Sequence, residues 1–146
     1  MLYVLAPFIG WLVSGTTKFI INYLRFGKDA RQRVGNGGFP STHTTVMVTT
    51  ICLIGLQEGF THPVFGLGVA VTFIIIIDAT GLRRAVGKHA AILNQLAKEH
   101  SKAAENKPLR ESMGHTKWEI VGGIVLGALL AFVLHTLAKL VPGLLG

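Results

Sequence analysis

At 146 residues the chain is sized for one domain, residues 1–146, yet half of it is apolar and only 14% is charged, which argues against an ordinary soluble domain. A formal charge of +7 could suggest nucleic acid, but few aromatics interleave with the basic residues, so no nucleic-acid partner is expected. Basic residues in so apolar a chain are better explained as loops lying against anionic lipid. The single cysteine, Cys52, sits in an apolar run, which excludes a disulfide framework and a cysteine metal site.

Four segments are candidates to cross a bilayer. The first runs from about Leu2 to Leu24, has no basic region before it and no small-residue cleavage site after it, and so reads as a span rather than a cleaved leader. The second, about Ser41 to Leu56, is short and rich in threonine. The third covers about Pro63 to Thr80, and the fourth about Glu119 to Val141. A span needs roughly 20 apolar residues, so the second and third must draw on their flanks or sit in a thinned bilayer. Gly123 and Gly127 in the fourth form a G-x-x-x-G pair, read as ordinary close packing within a bundle.

Between the third and fourth spans, Leu82, Val86, His89, Leu93 and Leu96 recur at helical spacing, with Arg83, Arg84, Lys88, Asn94 and Lys98 off that stripe. This predicts an amphipathic helix at the interface, followed by a surface loop through "SKAAENKPLRE". The expected fold is therefore all-α: a polytopic membrane bundle of about four transmembrane helices plus an amphipathic interfacial helix. The loop after the first span holds Arg25, Lys28, Arg31 and Arg33, and the stretch after the third holds eight more basic residues. The connection "QEGFTHP" holds none. The positive-inside rule then puts both basic loops in the cytoplasm and both termini outside.

"GNGGFPSTH", residues 35–43, leads into the second span. Pro40 suits a first helical turn, the glycines allow turns that point N–H groups inward, and Ser41 and Thr42 add hydroxyls. A helix N-terminus so built suits an anion, and His43 is within reach of it; capping by Ser or Thr is the plainer alternative. Lys18 and Arg25, seven residues apart, share a helix face at the same membrane surface. Arg83 and Arg84 follow Asp78 at the end of the third span. His115 and Glu119 open the fourth, where Thr116-x-x-Glu119 also fits a capping box. Cations, a helix N-terminus, two histidines and a carboxylate are the groups that phosphoryl transfer through a histidine nucleophile needs.

The arrangement resembles the superfamily of type-2 phosphatidic acid phosphatases and vanadium haloperoxidases, specifically its short divergent branch of small bacterial membrane proteins. That superfamily carries K-x6-R-P, P-S-G-H and S-R-x5-H-x3-D. Here "KFIINYLR" keeps the separation of Lys18 and Arg25, with Phe26 in place of proline, and "PSTH" has Thr42 in place of glycine. "GHTKWEIVGG" is similar to the end of the third motif, with Glu119 in place of aspartate. His89 has the family spacing from Arg83, but Leu93 stands where the acid belongs, so His115 is preferred as the nucleophile.

The resemblance implies a lipid phosphate phosphatase of the cell membrane, working from the cytoplasmic face without metal or other cofactor. Lys18, Arg25, Ser41, Thr42 and Arg83 or Arg84 would bind the phosphate of a lipid such as phosphatidate or phosphatidylglycerol phosphate. His115 would attack, Glu119 would orient it, and His43 would be the acid and base. The usual members have six spans, so a smaller core or a homodimer is implied. The rivals are a non-catalytic anionic-lipid or phosphate binder, a small transporter, and a metal-dependent phosphotransferase. "DATGLRR" is similar to the opening of the CDP-alcohol phosphotransferase signature, but the later paired aspartates are absent.

Overall fold

The computed structural model describes residues 1–27, 38–99 and 107–140. They form five helices: α1 (Leu2–Phe26), α2 (Thr42–Glu58), α3 (Pro63–Thr80), α4 (Leu82–Glu99) and α5 (Lys117–Leu140). The fold is all-helical, with no strand among the described residues. Helix α1, the stretch that begins with α3, and α5 are long and apolar enough to cross a membrane. Helix α2, the expected second span, is 17 residues long and lies in the middle of the bundle, against α1, α3 and α5.

The position of α2 explains its composition. Its buried Thr45 and Thr49 turn their hydroxyls back onto the carbonyls of Ser41 (3.0 Å) and Thr45 (2.8 Å), so these polar groups are satisfied without water. Small residues on both flanking helices let the backbones approach. On α1 the buried positions are Leu2, Ala6, Gly10 and Ser14, one every four residues. On α5, Gly123 and Gly127 face the α2 backbone: a Cβ at Gly127 would stand 2.9 Å from the Thr45 carbonyl oxygen. The G-x-x-x-G pair thus serves packing inside this bundle. At the far end, Leu2, Ala6, Leu53, Ala131 and Leu134 close an apolar core.

Helix α3 is peripheral, with only Thr72 and Ala79 buried. After Gly81 the chain continues as α4, whose expected stripe is exposed at Leu82, Val86, Leu93 and Leu96, as an interfacial helix requires. His89, on the same stripe, is exposed too. The buried edge of α4 is Gly87, Ala90 and Asn94, and it packs on the segment that leads to α5 rather than on an apolar partner. Asn94 bonds both backbone groups of Leu109 and the carboxylate of Glu111. The stretch read as a plain surface loop is therefore pinned to α4 at residues 109–111.

Candidate active site

The cavity lies at the end of the bundle that carries the basic loops. It has a volume of about 250 Å³ and is lined by Lys18, Thr42, His43, Arg83, Arg110, Met113, Gly114 and His115. Four separate parts of the chain meet there, and each is placed by a local device.

Ser41 is the N-cap of α2: its buried hydroxyl accepts from the Thr44 N–H (3.4 Å) and from the Thr44 hydroxyl (2.9 Å). Helix α2 starts at Thr42, so Pro40 precedes the cap instead of opening the first turn, and the Phe39–Pro40 peptide is cis. The cap leaves Thr42 and His43 at the cavity wall. Thr42 is held from the other side, because the Ser14 hydroxyl of α1 donates to its Oγ1 (3.1 Å). Lys18, one turn beyond Ser14, stands at the same level.

His115 is buried, and its backbone N–H donates to the Ala79 carbonyl (2.9 Å), which ties the start of α5 to the end of α3. Gly114 precedes it at φ 84°, where a Cβ would stand 2.8 Å from that same carbonyl oxygen, so only glycine fits the turn. The His115 Nδ1 lies 3.1 Å from the Glu119 Oε2. Glu119 also completes the capping box, accepting from the Thr116 N–H (2.9 Å) while its own N–H reaches the Thr116 hydroxyl (3.3 Å). Its other oxygen accepts from the Gly38 N–H (3.1 Å), and its carbonyl accepts from the Ser41 N–H (2.8 Å). The cap and the histidine partner are one carboxylate.

Two backbone N–H donors, of Gly38 and Thr116, already hold that carboxylate as an acceptor, which assigns the proton of the third contact to the Nδ1 of His115. The lone pair is then on Nε2. The rings of His43 and His115 meet edge to face, with centroids 6.3 Å apart at 61°. Arg83 reaches the cavity from the start of α4, held by an ion pair to Asp78 (2.6 Å).

Of the residues expected from sequence, Lys18, Thr42, His43, Arg83 and His115 line the cavity, and Glu119 stands directly behind His115. Ser41 lies beneath it as the cap. Arg25 shares the face of Lys18 but sits about 10 Å further along the axis, exposed and away from the cavity. Arg84 packs its stem against Gly114 and is not part of the lining. The glycines at 35–37 lie outside the described residues, and the Gly38 N–H goes to Glu119. Arg110 is the cation that sequence reasoning missed. It stands five residues before His115, one closer than the arginine and histidine of S-R-x5-H, and that near-match was the available signal. Among the described residues, no three His, Cys, Asp or Glu side chains are grouped as metal ligands.

A bundle of apolar helices with paired histidines and clustered cations at one polar end defines a class of membrane proteins. The comparison with protein families makes it specific: a family model described as "Divergent PAP2 family" matches residues 2–130, and the chain belongs to that family. It is 33% identical to the uncharacterized membrane protein YuiD of Bacillus subtilis (strain 168), over 67% of this chain and 70% of that one. No solved structure matches significantly.

Proposed function

We propose that the protein hydrolyses a lipid phosphomonoester through a phosphohistidine intermediate, on the cytoplasmic face of the cell membrane. The observation that carries this reading is the pair His115–Glu119 at 3.1 Å, facing His43 across a cavity that also holds Lys18, Arg83 and Arg110. Family membership supports it. So does the charge pattern, because the cavity opens at the end of the bundle that carries the basic loops.

In this mechanism the cations bind the non-bridging phosphate oxygens. The Nε2 lone pair of His115 attacks phosphorus, forming a P–N bond as the P–O bond to the lipid breaks. Glu119 stabilises the imidazolium through Nδ1. His43 gives its proton to the leaving oxygen, then takes one from water. That water attacks phosphorus, the P–N bond breaks, and its electron pair returns to Nε2 with release of inorganic phosphate. Negative charge on the transferring phosphoryl group develops beside Lys18, Arg83 and Arg110, and positive charge on His115 beside the Glu119 carboxylate.

Two observations favour a second reading, an anionic-lipid binder without turnover. The Ser41 hydroxyl is engaged in capping, and two of the expected cations, Arg25 and Arg84, stand outside the cavity. Phosphate release from purified protein with phosphatidate or phosphatidylglycerol phosphate, in EDTA, decides between them. Turnover that persists in EDTA and is blocked by vanadate, which mimics pentacoordinate phosphorus, is expected. Binding without release supports the second reading, and release only with added Mg²⁺ removes the histidine mechanism.

A further inference from the structure

A second concavity, about 480 Å³, runs along α1 from Trp11 and Leu12 past Gly15, Thr16 and Phe19 to Lys18 and Asn22, with Thr42 of α2 at its edge. Lys18 and Thr42 also line the polar cavity, so the two spaces meet at a shared wall. We propose that this groove holds an acyl chain of the lipid whose phosphate enters the polar cavity. The inference rests on the reading that the cavity takes a phosphate group, not on its hydrolysis.

Three observations point to a lipid chain. Trp11, Gly15 and Lys18 fall at i, i+4 and i+7, so a single face of α1 passes from apolar to cationic. From Lys18 to Trp11 the groove runs about 10 Å along the helix axis, away from the polar end and toward the depth of the span. An amphiphile with an anionic head and an apolar tail matches that gradient in sign and direction. Gly15 is the third. Gly10 is needed because a Cβ there would stand 3.2 Å from the Val46 Cα, but a Cβ at Gly15 would meet nothing within 4 Å. Close packing inside the chain does not explain Gly15; an open groove floor does. A further apolar groove, between Phe39, Trp118 and Leu129, shares no lining residue with the polar cavity and has no such link to a headgroup.

The test is photolabelling of the full chain in phosphatidylcholine nanodiscs, using phosphatidate with a diazirine in mid-chain. Label is expected on peptides covering residues 11–22, competed by excess dioleoyl phosphatidate and not by dioleoylglycerol. Gly15→Leu, which fills the groove floor, should cut that label roughly tenfold and lower the ratio of long-chain to short-chain turnover. Label centred on residues 118–129, or equal labelling by a diazirine diacylglycerol, would overturn the proposal. So would α1–α1 crosslinking from a cysteine at Leu12 that phosphatidate does not compete, because a second copy would then cover the groove. Competed α1 label without phosphate release removes the hydrolase reading and leaves the chain site standing. Release with label elsewhere does the reverse.

Discussion

The side chain of Asn94 pairs with the backbone of Leu109 as a neighbouring strand would: its Nδ2 donates to the Leu109 carbonyl and its Oδ1 accepts from the Leu109 N–H, both at 2.8 Å. A third bond, to Glu111 (2.8 Å), closes the clasp around Arg110, which lines the cavity. Asn94 is buried while Leu109 is exposed, so truncation to alanine breaks three bonds and leaves the Leu109 groups to water. Asn94→Ala is expected to cost about 1–3 kcal/mol, seen as a lower melting temperature. It should also weaken vanadate inhibition through Arg110, whereas Lys98→Ala, on the same helix and outside the cavity, should change neither.

Glu119 accepts from Gly38, Thr116 and His115. Glutamine keeps one oxygen but turns an NH₂ group toward N–H donors that the other oxygen now receives. Glu119→Gln should therefore lower kcat by at least about a hundredfold, with a stability loss near 1 kcal/mol from the weakened cap. Near-normal turnover in a folded variant would reduce Glu119 to its capping role.

His115 and His89 separate by environment. His115 is buried beside its carboxylate in the cavity wall, whereas His89 is exposed on the stripe of α4. His115→Ala should abolish turnover and any acid-labile phosphoenzyme, while His89→Ala stays active with a stability change within about 0.5 kcal/mol. Loss of activity in the second variant alone would move the nucleophile to α4.

Topology is tested with single cysteines in a Cys52→Ala background. Lys107 and Thr61 are both exposed, one before α5 and the other between α2 and α3. A membrane-impermeant thiol reagent should reach Lys107→Cys only from the cytoplasm and Thr61→Cys only from outside. The opposite pattern would move the cavity to the outer face.

The helices were legible because spans and polar connections differ so strongly in composition; the expected and observed limits of α3 are both Pro63 and Thr80. The histidine pair and Lys18 were legible because helix ends bring short-range motifs to one level of the membrane. Arg110 was not. Its place depends on a side-chain clasp across 15 residues of sequence, and Asn94, off the apolar stripe, read as an ordinary surface polar group. Arg25 erred the other way. Periodicity gives the face of a helix correctly, but says nothing of which turn meets the cavity.

Contacts between helices are uneven. Helix α2 is gripped by α1 and α5 through glycines and small residues, whereas the main helix neighbour of α4 is α3. Lys18, Thr42 and His43 thus sit on the closely packed α1 and α2, whereas Arg83 and Arg110 sit on α4 and the segment clasped to it. His115 joins the two groups, through its N–H to the Ala79 carbonyl and the Gly114 turn. The imidazoles therefore depend on packing between helices, whereas two of the cations depend on one partner side chain each, Arg83 on Asp78 and the segment of Arg110 on Asn94.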